Sequence, residues 1–198
     1  QTEDGQVPHV VPNVLRGFSA TGWSDAAVII PWTVYLRFGD KGILEAQYDS
    51  MAAWVEYMKK QAGDSYLWTN GTHYGDWLAF ATTRSDYPGA TTDKDMLATA
   101  FYAYSTSLME KTARVLGRYE DAERYASLWK RIQEAFVSEY VTENGRMASN
   151  TQTAYTIALK FGLLPPGLRA QAADRLAADV RSFDNHLTTG FLGTPYLC

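Results

Sequence analysis

Two short blocks carry the residues best suited to chemistry, Gly22-Trp23-Ser24-Asp25 and Gly75-Asp76-Trp77-Leu78. Each sets one carboxylate beside one indole. A carboxylate can take the hydroxyl protons of a sugar, and an indole plane can pack on its C–H face. Hydrolysis of a glycosidic bond needs two carboxyl groups, roughly 6.5–9.5 Å apart for inversion and about 5–5.5 Å apart for retention. Asp25 and Asp76 are the in-chain candidates for such a pair. Each also has a plainer reading. Asp25 suits the first turn of a helix, where the dipole favours negative charge, and Asp76 suits the cap of a short helical piece at Trp77–Ala81.

The other reactive side chains form no known constellation. His73 and His186 lack metal-ligand spacing. Gly71 and Gly75 follow no strand, so they imply no phosphate loop, and no nucleophile elbow is present. No cofactor and no metal is implied. Asn70-Gly71-Thr72 is a formal glycosylation acceptor, meaningful only in a eukaryotic secretory setting.

These residues must be held by helices. Ser24–Phe38 is almost wholly apolar, and Ser24 is a fair N-cap. It reads as an inner helix buried on most sides, with Pro31 predicting a kink or an irregular first turn. Lys41–Gln61 carries Leu44, Tyr48, Met51, Val55 and Met58 at alternating steps of four and three, a one-sided stripe. Asp40 can cap it. Thr92–Leu116 opens with Thr92 and Asp95 in capping-box spacing. Its Leu97, Phe101, Tyr104 and Leu108 share a face. Tyr119–Tyr140 has a stripe of Tyr125, Leu128, Ile132 and Phe136. A short helix starts at Asn150 or Thr151 and ends at Phe161, and a sixth runs from Leu168 to about Ser182.

The connections alternate in length. Gly39-Asp40, Gly117-Arg118 and the stretch Gly162 to Gly167 are short. Residues 62–91, 141–149 and 183–188 are long, and the first contains Tyr87 and Pro88-Gly89. Short links join a mostly buried helix to an amphipathic one, so the pattern predicts αα-hairpins with every long loop on one face. That face collects Trp23, Asp25, Trp68, His73, Asp76, Trp77, Asn150, Asn185, His186 and Phe191. Loops on a rigid scaffold are where binding and chemistry concentrate. The expected fold is all-α, a toroid of hairpins of which this chain holds about three to four.

Composition narrows the partners. Of 198 residues, 46% are apolar and 20% charged, as in a globular protein rather than a disordered one. Aromatics reach 14%, with 6 Trp and 13 Tyr, an excess that flat ring faces for a ligand could explain and that bulky core packing explains for most of the rings. The net charge of -4, without a basic stripe, argues against a nucleic-acid partner. No apolar run is long enough to span a bilayer. The lone Cys198 can form no internal disulfide. The chain starts at Gln1 and stops just after an apolar stretch, which reads as an excerpt of a longer protein.

Four blocks carry a family resemblance: Gly5 to Val14 (GQVPHVVPNV), Gly22 to Trp32 (GWSDAAVIIPW), Gly75 to Leu78 (GDWL) and His186 to Thr194 (HLTTGFLGT). In order and spacing they resemble the six-hairpin catalytic domain of bacterial α-L-rhamnosidases, over essentially the whole chain. The resemblance implies an inverting glycosidase that removes terminal α-L-rhamnose, built on six αα-hairpins around a central pocket. Tryptophans of the family's pocket wall fall on Trp23 and Trp77. Asp25 and Asp76 share those blocks and are carried over as rim residues that meet the substrate. The family's general acid is a Glu in an arginine- and acid-rich block ending in a Gly-Trp-Thr-Gly-Asp-like sequence. Its general base is a Glu in a Gly-Ala-Thr-Thr-x-Trp-Glu-like block. Neither block is present, and they would lie before Gln1 and beyond Cys198. The expectation is therefore residues 1–198 as part of a glycosidase domain, without the catalytic acid and base. Its partners would be a rhamnose-containing glycoside or oligosaccharide and the remainder of the parent domain. The rivals are another six-hairpin sugar hydrolase, trehalase-like or acting on uronic acids, and a non-catalytic αα-solenoid. Unequal hairpins with one-sided loops disfavour the solenoid.

Overall fold

The structure, a computed structural model, describes residues 1–15, 18–80 and 91–197. Tyr87, Pro88-Gly89, Gly17 and Cys198 lie outside the described residues. Among those described there is no strand, only one isolated antiparallel bridge between Val141 and Met147. No helix is long and apolar enough to cross a membrane among them.

The helices are α1 (Ala26–Phe38), α2 (Gly42–Ala62), α3 (Lys94–Val115), α4 (Tyr119–Tyr140), α5 (Gln152–Lys160), α6 (Pro166–Ser182) and the four-residue α7 (Thr194–Leu197). A 3-10 turn, Gly63–Ser65, follows α2. Helices α1 with α2, α3 with α4 and α5 with α6 pack as pairs, and α3 also touches α1, α2 and α5. The three short links are the hairpin turns. Gly39 closes the first with φ 70°, its N–H donating to Tyr35 O.

Helix α3 is the centre of the core. Fourteen of its residues are buried, from Met96 to Ala113, on every side of the helix. Its small side chains Ala98, Ala100 and Ala103 let neighbouring helices approach. The stripe of α2 is buried as its spacing predicts, with Trp54 added. Helix α4 buries Tyr125, Leu128, Ile132 and Phe136 and leaves its charged face in water.

Several boundaries differ from the sequence reading, each for a local reason. Helix α3 is capped by Asp93, which accepts from Met96 N (2.7 Å), because Thr92 Oγ1 is engaged with Thr151 Oγ1 (2.8 Å). Helix α1 begins at Ala26, and Ser24 does not cap it. Ser24 Oγ accepts from Ala20 N (3.0 Å) and donates to Val7 O (2.8 Å), fastening the N-terminal strap to the turn before α1. Helix α6 starts two residues early, at Pro166, where the missing N–H costs nothing. The described part of Trp77–Ala81 is a turn, not a helical piece.

Helix α1 is the main departure. It runs through Pro31 as one helix, yet only Val28 and Pro31 are buried. Ile30, Leu36 and Phe38 are 58%, 62% and 80% exposed. Helices α2 and α3 cover one side of it, and no other described helix packs on the rest.

Candidate functional site

Three loops converge at the N-terminal ends of α1 and α5: residues 18–25, 70–80 and 186–193. They are fastened by two carboxylates, by a histidine and by two glycines whose neighbours leave no room for a side chain.

Asp25 stands at the N-cap of α1 and is completely buried. Its Oδ2 accepts from Gly22 N (2.8 Å), and its Oδ1 accepts from Trp54 Nε1 (3.1 Å) and Ser105 Oγ (2.6 Å). One side chain thus ties the turn before α1 to α2 and α3. Burial pushes its carboxyl above the usual range, against the opposing pull of the Ser105, Gly22 and Trp54 donors.

Asp76 is also completely buried. It accepts from the Thr153 hydroxyl on α5 and from three consecutive-turn amides: Gly190 N (2.7 Å), Leu192 N (2.7 Å) and Gly193 N (3.0 Å). Two backbone bonds zip the same loops together, Phe191 N–H to Trp77 O (2.8 Å) and Phe80 N–H to Thr188 O (2.9 Å). Gly190 is required here, since a Cβ would sit 2.3 Å from Trp77 O and 2.7 Å from Ala79 N. Gly22, at φ +83°, lies against Leu192, 2.2 Å from where a Cβ would be. The block around Trp23 is therefore seated directly on the turn that Asp76 holds.

His73 fastens the middle loop. Its Nδ1 accepts from Thr21 N (3.2 Å), which requires the neutral ring with the proton on Nε2. Burial, and secondarily the Lys94 charge, lowers its pKa to about 4. The ring stands edge-on to Trp68 (4.6 Å), which stands edge-on to Trp54 (5.7 Å). His73 and Trp68 are both buried, so these two members of the expected loop face belong to the core.

Above these fastenings lies a closed circuit of four rings. Trp23 meets Tyr74 at 4.9 Å between centroids, Tyr74 meets Trp77 at 6.0 Å, Trp77 meets Phe191 at 6.0 Å, and Phe191 returns to Trp23 at 6.1 Å. Trp77 is 45% exposed and Phe191 54%. Trp23 and Tyr74 are half-buried. Offset rings at these separations attract one another and form a continuous apolar surface.

The sequence-derived candidates thus divide. Trp23 and Trp77 come together at the surface. Asp25 and Asp76 lie beneath it in separate networks, with both oxygens of each taken by protein donors. Asn150 is engaged by Tyr155 (2.6 Å), and the His186 ring is exposed with Nδ1 on Phe183 O (2.9 Å). Asn185 holds a positive-φ turn. Phe191 joins the rings, a place its position on the long-loop face permitted but did not specify. Tyr74 was not among the candidates; its only sequence signal is its place one residue before the Gly75-Asp76-Trp77 block.

Paired helices with their aromatic loops gathered on one face form part of an αα-hairpin toroid of the glycosidase type. The chain matches the bacterial alpha-L-rhamnosidase six-hairpin glycosidase domain over residues 1–198, and it belongs to that family. It is 40% identical over 198 residues to an alpha-L-rhamnosidase of Streptomyces avermitilis, covering all of this chain and 18% of the relative. It is 42% identical over 203 residues to an alpha-L-rhamnosidase of an Alteromonas species, covering 22% of that protein. The crystal structure of the Streptomyces avermitilis enzyme, complexed with L-rhamnose, superposes with a TM-score of 0.86 over the whole chain. An Aspergillus terreus α-L-rhamnosidase superposes at 0.89 with 33% identity, covering 98% of this chain and 23% of that one. The chain therefore spans about a fifth of the length of these relatives.

Proposed function

We propose that this chain supplies part of the sugar pocket of a glycoside hydrolase that releases terminal α-L-rhamnose with inversion. Trp23 and Trp77 form the wall on which the C–H face of the sugar rests. Asp25 and Asp76 serve the pocket from behind that wall, as the supports that fix its loops. The catalytic acid and base come from other parts of the polypeptide. The observation that carries this reading is the four-ring surface, exposed at Trp77 and Phe191 and half-buried at Trp23 and Tyr74, built on loops that two buried carboxylates fasten. A wall fixed before the ligand arrives spends little binding energy on ordering itself. Membership of the rhamnosidase family and the rhamnose complex of a relative support the choice of sugar.

The test uses the full-length protein that carries this chain. It is expected to hydrolyse an aryl α-L-rhamnoside, with the β-anomer appearing first by proton NMR. Trp77→Ala and Trp23→Ala are expected to weaken rhamnose binding. Wild-type kinetics in both variants would return the two indoles to a packing role, and an initial α-anomer would replace inversion with retention.

A further inference from the structure

From residue 188 to residue 193 the chain is buried at Thr188, Thr189, Gly190, Leu192 and Gly193, and exposed only at Phe191. Phe191 is 54% exposed while Thr188 and Thr189, three and two residues before it, are buried, the reverse of the usual preference of phenyl and hydroxyl side chains. Local freedom does not explain it. The amides on both sides of Phe191 donate to the buried Asp76 carboxylate, and its own amide donates to Trp77 O. The backbone therefore fixes the ring outward, between Trp23 and Trp77, at 6.1 and 6.0 Å and at 22° and 26° to their planes. Without it the two indoles would be joined through Tyr74 alone. With it they form one surface, closed on the other side by Tyr74.

We propose that Phe191 is a specificity-determining residue of the sugar pocket, packing against the apolar face of a 6-deoxyhexose. This rests on the rhamnosidase reading and deepens it. A 6-deoxyhexose carries a methyl group where a hexose carries a hydroxymethyl group. A third flat, non-polar ring, with no hydrogen-bonding atom of its own, favours the methyl. It offers the hydroxyl of the corresponding hexose nothing to pair with, and that hydroxyl loses its water. Asp76 is the positioning residue for this ring: its oxygens are taken by the Thr153 hydroxyl and the Gly190, Leu192 and Gly193 amides, and it acts through those amides.

The experiment measures kcat and KM of the full-length protein on two aryl glycosides, the α-L-rhamnoside and the α-L-mannoside, which differ only by the hydroxyl on carbon 6. Phe191→Ala is expected to raise KM for the rhamnoside about three- to tenfold, the range of one aromatic contact, with kcat little changed. It is also expected to narrow the preference for rhamnoside over mannoside. Phe191→Tyr, which keeps the ring face, is expected to retain the wild-type KM for the rhamnoside. If the alanine variant does not fold, Phe191→Leu decides, because it keeps apolar volume without a flat face. The same rise in KM there supports the proposal. Unchanged KM and preference in a folded Ala or Leu variant, beside an active wild type, overturns the proposal and leaves Phe191 as packing against another part of the polypeptide. No rhamnoside hydrolysis by the wild type overturns the functional reading itself and the proposal with it.

Discussion

Helices α1 and α3 have opposite surroundings, and the more apolar of the two is the less covered. Helix α1 is almost wholly apolar, whereas α3 mixes apolar and small residues with Lys94, Asp95, Glu110, Lys111, Arg114 and several hydroxyl side chains. Helix α3 is buried on every side because α1, α2, α4 and α5 all lean on it. Helix α1 leans only on α2 and α3, and Ile30, Leu36 and Phe38 stand in water. The apolarity of a helix records what it is suited to face. It does not say that the cover lies within these residues. The two helices nevertheless share a fastening, since Asp25 at the start of α1 accepts from Ser105 in the middle of α3 (2.6 Å).

That contrast can be tested by substitution, with stability read from urea unfolding of the chain. The largest effect is expected in α3. Phe101→Ala removes a buried ring packed against Phe161 (5.1 Å) and should cost about 3–5 kcal/mol. A cost near that of an α1 surface change would dissolve the distinction between the helices. Next comes the shared fastening. Asp25→Asn turns an amide NH2 toward donors that now meet a carboxylate, and should cost about 1–3 kcal/mol. A neutral result would mean that α1 is held by apolar contact alone.

A smaller effect, dependent on pH, is expected at His73. Its folded pKa lies at about 4, below its ordinary value of 6.5. A depressed folded pKa contributes stability that is present above 6.5 and lost as pH falls through about 4. Protonation also destroys the acceptor that Thr21 N uses. The chain should therefore weaken between these two pH values, and His73→Gln should flatten that slope. An unchanged slope would assign the loss to other groups. The smallest effect is expected on the open face of α1, where Ile30→Ser or Leu36→Ser should change stability by about 0.5 kcal/mol or less. In the full-length protein, a larger cost for the same changes would locate the missing cover.

Much of the architecture is legible in the sequence, for a simple reason. Periodicity and glycine positions act over one or two turns of helix. The stripe of Leu44, Tyr48, Met51, Val55 and Met58 is buried as written, and Gly39, Gly117 and Gly162 end helices where they should. Start positions are less secure. Whether Thr92 or Asp93 caps α3 depends on Thr151, fifty-nine residues away. The exposure of α1 was not legible at all, because an apolar pattern is the same whether or not a neighbour is present.

The candidate site divides along the same line. The sequence by itself determined which residue types stand in the loop blocks, including Trp23 and Trp77, and that those blocks fall on one face of a helical-hairpin scaffold. Only the tertiary structure decided what each does. Asp76 reads in sequence as a carboxylate beside an indole, suited to a sugar hydroxyl. Its acceptor capacity is instead taken by Thr153 and by amides 114 to 117 residues further on. Phe191 reads as one more apolar residue, and those same amides hold it outward between Trp23 and Trp77. A carboxylate has a fixed capacity for hydrogen bonds, and the donors that fill it come from wherever the fold brings them. No spacing along the chain encodes that choice.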